Sequence, residues 1–193
     1  MDRSVALTLL FLLLTLVPPL AHSRPGRFAT ETETHVHFYF HDTVSGNNPS
    51  AVEIARADST GQSPTSFGVL LMADDPLTEG PDAGSTEVGR AQGLYGSAGQ
   101  KDFGLIMALN FRFTSGPYEG SALSVMSLNP AMQTVRELAV VGGTGAFRMA
   151  RGFALAKTYF LDTKTGDAIV EYNVTVVPWP SLIYGNPANL IMI

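Results

Sequence analysis

Short runs in which apolar and polar residues alternate recur from Thr34 to Val177, and none of them pairs helical spacing with capping residues. A period of two sends every second side chain to the same face, so these runs are predicted as strands. They cover 34–42, 51–57, 67–73, 87–95, 103–114, 121–128, 135–141, 147–159 and 168–177, separated by Gly, Pro and Asp clusters. About nine short strands with regular turns predict an antiparallel sandwich or barrel. The chain has no cysteine to staple exposed edges, which favours a sheet closed on itself.

The ends read differently. Residues 1–23 form a predicted signal peptide, with Asp2-Arg3, an uncharged apolar run from Val5 to Val17, and Ala21-His22-Ser23 at a signal-peptidase site. Secretion follows as the expectation. Residues 24–34 are a polar, flexible arm, 35–177 the barrel domain, and 178–193 a tail ending in Leu190-Ile191-Met192-Ile193. The net charge of −5 and the lack of any basic run argue against nucleic acid and membrane surfaces as partners. Asn173-Val174-Thr175 is the single glycosylation sequon, because Asn48 precedes a proline.

Few residues carry chemistry. In the first strand Val36, Phe38, Phe40 and Asp42 share one face, which takes the carboxyl of Asp42 inward with the apolar residues. His35, His37 and His41 share the other face; spread over about 20 Å they cannot hold one ion, so no metal is expected. Gly142-Gly143-Thr144-Gly145 lacks the Lys-Ser/Thr of a phosphate loop and reads as a tight turn, and Asp74-Asp75-Pro76 reads as turn chemistry. No serine stands in a nucleophile elbow and every histidine precedes Asp42. Asp42, Tyr95, Glu137 and Arg151 remain as polar groups on separate strands, and Glu137 and Arg151 face a shared cavity if both point inward.

The ordered blocks His37-Phe38-Tyr39-Phe40-His41-Asp42, Asp74-Asp75-Pro76-Leu77-Thr78, Gly89-Arg90-Ala91-Gln92-Gly93-Leu94-Tyr95, Gly116-Pro117-Tyr118-Glu119-Gly120-Ser121 and Val140 to Gly152 resemble the dirigent family of plant secreted proteins. The resemblance implies an eight-stranded antiparallel β-barrel, a homodimer or homotrimer, in the extracellular space. It implies a lumen for phenolic ligands: radicals of the coniferyl alcohol type, supplied by a separate laccase or peroxidase and coupled with one stereochemistry into lignans. No cofactor is implied, and the protein is then a stereo-directing scaffold. Some relatives act instead as lyases through a quinone methide, as in pterocarpan formation, and a phenolic- or glycan-binding cell-wall protein is a further alternative. By motif position the family's pocket residues fall on Asp42 as acid or hydrogen-bond donor, Tyr95 and Arg151 as ligand-oxygen anchors, and Glu137 as a second acid. Lignan-forming members commonly carry Asp where Glu137 stands, and the whole pattern is closer to the dirigent-like branch.

Overall fold

A computed structural model describes residues 32–178. The expected leader, residues 24–31 of the arm and residues 179–193 of the tail lie outside the described residues. Within them the chain forms β1 (Thr34–Asp42), β2 (Ala51–Arg56), β3 (Val69–Thr78), β4 (Glu87–Ser97), β5 (Leu105–Phe113), β6 (Ala122–Asn129), β7 (Val135–Thr144), β8 (Arg151–Leu161) and β9 (Ala168–Val177).

All neighbours pair antiparallel in the order β1-β9-β8-β7-β6-β5-β4-β3-β2. The sheet then closes on itself where β1 meets β3 at Tyr39↔Thr78 and Phe40↔Leu77. The result is an eight-stranded barrel, because β2 shares the edge of β3 with β1: it takes Val69 to Ala73, and β1 takes Leu77 and Thr78. Closure removes the open edges that a chain without disulfides would otherwise expose.

The alternation in the sequence becomes an inside and an outside. Phe38 and Phe40 of β1, Leu109 and Phe111 of β5, Leu123 and Val125 of β6, Leu138 and Val140 of β7, and Tyr172 and Val174 of β9 are all buried. The inward positions of β4 and β8 are small, with Ala91, Ala154 and Ala156 completely covered, so the large rings of β1, β5 and β9 have space to interdigitate. Phe38 stacks on Tyr172 at 5.5 Å and 15°, and Phe111 meets both edge-on at 5.0 and 5.2 Å. Two glycines permit the tight coiling of the sheet. A Cβ on Gly93 (φ +150°) would lie 2.2 Å from the Ala108 carbonyl oxygen, and one on Gly152 (φ +156°) 2.1 Å from that of Thr175.

Three local expectations are corrected. Asp74 to Thr78 is not turn but the second half of β3, and the turn proper begins at Glu79, whose N–H donates to the Thr86 carbonyl at 3.0 Å. Gly142, Gly143 and Thr144 continue β7, and the chain reverses only from Gly145 (φ +61°) through a short 3-10 turn, Gly145–Phe147. β8 consequently starts at Arg151 rather than Phe147, and Phe147, 1% exposed, plugs the barrel end against Phe113 and Tyr118 at 5.6 and 4.8 Å.

Candidate functional site

At the end opposite the Phe147 plug, β1, β4, β6 and β8 finish and β3, β5, β7 and β9 begin. Here the inward positions turn polar. Tyr95, near the end of β4, is 6% exposed, and its hydroxyl donates to Asp42 Oδ2 at 2.7 Å. Between those strands lies β3, whose Asp75 has no exposed surface. Continuing the β1–β3 register from Phe40↔Leu77 sets Asp75 beside Asp42. The three side chains therefore come from three adjacent staves of one wall.

Two carboxyls in one apolar corner cannot both ionise at ordinary carboxylate pH. Burial raises Asp42 to about 6; the hydrogen bond from Tyr95 works against this and the charge of Asp167 adds to it. Burial and then the charge of Asp42 raise Asp75 to about 7. Ser50 lies close enough to oppose that rise. Its hydroxyl, though, accepts the Thr43 N–H at 3.1 Å and is directed at the His41 and Thr43 carbonyls, so it does not pair with the Asp75 carboxyl. Among the described residues, Asp42 Oδ1 and both carboxyl oxygens of Asp75 are buried without a hydrogen-bond partner, a condition that costs a neutral acid far less than a carboxylate. With Tyr95 donating to Oδ2, the proton of Asp42 belongs on Oδ1. Burial and the charge of Asp42 also raise Tyr95, which stays a hydrogen-bond donor.

Across the lumen stands a cation. Arg136, at the start of β7, is 2% exposed. Its Nε donates to Asn129 Oδ1 at 3.2 Å, and one Nη to Thr158 Oγ1 at 2.8 Å and the Gln133 carbonyl at 3.4 Å. Among the described residues no ion pair joins it to a carboxylate, and burial depresses its pKa. Tyr172, fully enclosed, is raised chiefly by burial, while Arg136 pulls it down and Asp42 and Asp75 push it up. Its hydroxyl thus sits in the field of both the acids and the guanidinium.

Of the residues named from sequence, Asp42 and Tyr95 are brought together. Glu137 and Arg151 are not. Glu137 is exposed on the outer face of β7, opposite Leu155, and its neighbour Arg136 is the inward residue. Arg151 is exposed at the start of β8, opposite Val177, while Ala154 and Ala156 point inward. The reason is parity: Leu138 and Val140 face the core, so the charged side chain on their face is the one at 136. That signal was available in the sequence. Asp75 was hidden by its turn-like Asp-Asp-Pro context. His35 and His37 lie on the exposed outer face, within 3.1 Å of Thr175 Oγ1 and Glu171 Oε1, at the far end of β1 from Asp42. A shallow depression there, of about 130 Å³, is lined by His35, His37 and Asn173.

A family model described as dirigent-like protein matches residues 33–177. Over 177 residues the chain is 50% identical to Dirigent protein 23 of Arabidopsis thaliana, covering 88% of this chain and 95% of that protein. It is 46% identical over 177 residues to pterocarpan synthase 1 of Glycyrrhiza echinata, covering 89% and 94%. The solved structure of the pterocarpan synthase dirigent protein GePTS1 matches with a TM-score of 0.71 at 48% identity, over 78% of this chain and 90% of that one. Shared sequence across the whole barrel and a shared barrel geometry lead to one conclusion: the chain belongs to the dirigent family.

Proposed function

We propose that the barrel is a lyase that removes water from a hydroxylated phenolic compound through a quinone methide and closes a ring on it. The observation that carries this reading is the pairing of half-buried Asp42 with fully buried Asp75, with protons held up to about pH 6 and 7 and three carboxyl oxygens without a partner among the described residues. A group tuned to that range is suited to general acid catalysis near neutrality. One carboxyl protonates the leaving hydroxyl; the C–O bond breaks and water departs. The phenol conjugated to that carbon gives up its proton, which returns through solvent to the carboxylate, leaving a neutral quinone methide and a regenerated acid. A second phenolic oxygen then attacks the electrophilic carbon, and its proton restores the first phenol, so the sum is substrate to product plus water. Arg136 anchors the quinone-methide oxygen on the opposite wall, where a guanidinium without a carboxylate can donate to it. The likeness to pterocarpan synthase 1 of Glycyrrhiza echinata, in sequence, and to the solved pterocarpan synthase dirigent protein, in fold, supports this choice of class.

The test is to incubate an isoflavanol bearing a free phenol on its pendant ring with the chain from residue 24 onward, without an oxidase, and resolve the products on a chiral column. Loss of water with one enantiomer in excess is expected; an unchanged substrate overturns the reading. A second reading rests on the aromatic interior of the barrel, built from Phe38, Phe111 and Tyr172, which suits planar phenolic ligands: stereoselective coupling of coniferyl alcohol radicals made by a laccase or peroxidase. It expects an enantiomeric excess only when oxidase and barrel are both present.

The same proposal covers the protein's setting. Secretion into the extracellular space is read from the leader, and N-terminal sequencing of the exported chain tests it. Asn173 is exposed on the outer face of β9, where a glycan would not disturb the core. Association of copies is supported by an outward apolar row that crosses five strands, Val52↔Met72↔Leu94↔Ala108↔Met126. Val52, Met72 and Met126 are 48, 43 and 52% exposed. Met126→Lys is expected to yield monomers in analytical ultracentrifugation.

A further inference from the structure

The two carboxyls meet at the weakest point of the wall. β1 holds β3 by only two register pairs, and β2 takes up the same edge four residues further along, at Ala73. In the interval Pro76 has no N–H to offer, and Asp74 donates its own to the Ser50 carbonyl at 2.9 Å. Ser50 closes the loop from Thr43 to Ser50, whose ends are tied by the Ser50 and Ala51 N–H groups on the Thr43 carbonyl at 2.8 and 3.1 Å. So the seam beside Asp42 and Asp75 hangs on this loop instead of on a ladder.

The loop is in turn held from a distant part of the chain. On the turn between β8 and β9, Asp167 Oδ1 accepts from the N–H groups of Val44 and Ser45 at 2.9 and 3.0 Å, and Oδ2 accepts from Ser45 Oγ at 2.6 Å. The turn is itself fixed: Asp162 N–H donates to the Asp167 carbonyl at 2.9 Å, and Asp167 N–H to Thr165 Oγ1 at 3.2 Å. Three donors on one carboxylate make a clamp across more than 120 residues of sequence. They also keep Asp167 ionised, with its pKa lowered first by the Ser45 hydroxyl.

We infer that Asp167 is a positioning residue for the acid pair: its carboxylate pins the loop between β1 and β2, and through that loop the seam at which Asp42 and Asp75 face each other. The inference rests on the acid-chemistry reading proposed above. Because the clamp is charged, it has an electrostatic side as well. The titratable groups facing Asp42 are Asp75 from β3, Tyr95 from β4, Tyr172 from β9 and Asp167 from the turn. The negative charge of Asp167 helps Asp42 keep its proton, so neutralising it moves the loss of the acid form to lower pH.

The experiment compares Asp167→Ala and Asp167→Asn in the full barrel, using the isoflavanol probe across pH, amide hydrogen exchange, and NMR titration of the Asp42 carboxyl carbon. Asp167→Ala is expected to speed exchange at Val44 and Ser45 at least tenfold, leave β5 and β6 unchanged, and slow turnover about tenfold. Asp167→Asn still offers an oxygen to the two N–H groups. It is expected to restore most of the rate while shifting the alkaline limb of the profile, and the Asp42 titration, to lower pH. Asp167→Ala with wild-type rate, profile and exchange overturns the inference, and so does Asp167→Asn that is as slow as Asp167→Ala. Asp42→Asn run in parallel separates the two claims: a fully active Asp42→Asn overturns the acid-chemistry reading, and the exchange and titration arms still judge the clamp.

Discussion

The two ends of the barrel obey the same alternation and use it for opposite purposes. At one end Phe113, Tyr118 and Phe147 tilt against one another within 6.0 Å, closing the lumen with rings and no charge. At the other, Asp42, Asp75, Tyr95 and Arg136 occupy inward positions that a purely structural core would give to Leu or Val. The plug gains from every apolar contact. The acid end bears desolvated carboxyls and a guanidinium without an ion partner among the described residues, which cost stability. Binding and chemistry can justify that cost and packing cannot, which is why the proposed function is assigned to the acid end.

The sharpest way to break this contrast is to neutralise the acids. Asp42→Asn and Asp75→Asn are each expected to lower kcat on the isoflavanol probe by about 10²–10⁴-fold, while Phe147→Ala leaves the rate of the folded protein within a few-fold. Equal losses at both ends would mean that the acids act only through the fold. In denaturant titrations the order reverses: Phe147→Ala, which deletes a 1%-exposed ring, is expected to cost about 3–5 kcal/mol.

Thermal stability against pH sharpens the contrast further. Both acids have folded pKa values above the unfolded carboxylate range, at about 6 and 7. Between pH 4 and 7 the folded state therefore holds more protons than the unfolded one, and their effect is to lower stability as pH rises through that window. Asp75→Asn is expected to flatten the slope and raise stability at pH 8 by on the order of 1–3 kcal/mol. A Tm that climbs from pH 5 to pH 8 equally in wild type and Asp75→Asn would contradict the buried-acid assignment. The smallest effect belongs to the outer wall: Glu137→Gln should change stability by less than about 0.5 kcal/mol and leave product chirality untouched. Altered chirality would return Glu137 to the site.

Much of the barrel was legible before any coordinates. Phe38, Phe40 and Asp42 fall on one face by alternation alone, and the same logic applied from Leu138 and Val140 selects Arg136 over Glu137. Asp75 was harder to see. Asp-Asp-Pro is ordinary turn composition, and a proline is accepted inside a strand only where one edge lacks a ladder partner. Pro76 meets that condition because the seam between β1 and β2 falls beside it, with Arg90 opposite it on the β4 side alone. A seam is a property of closure and has no local signature.

The sequence by itself determined the strand-rich class, the absence of disulfide staples, the face on which Phe38 and Phe40 lie, and the family resemblance through its ordered motifs; period and turn chemistry are local quantities, carried within a few residues. The tertiary structure decided that Asp42, Asp75 and Tyr95 form one wall, that Arg136 opposes them, and that Asp167 reaches back to the loop after β1. Those relations depend on strand register, on the closure of β1 against β3, and on burial that turns two ordinary carboxyls into acids tuned near neutrality. They come into being only when segments more than thirty residues apart share one low-dielectric lumen.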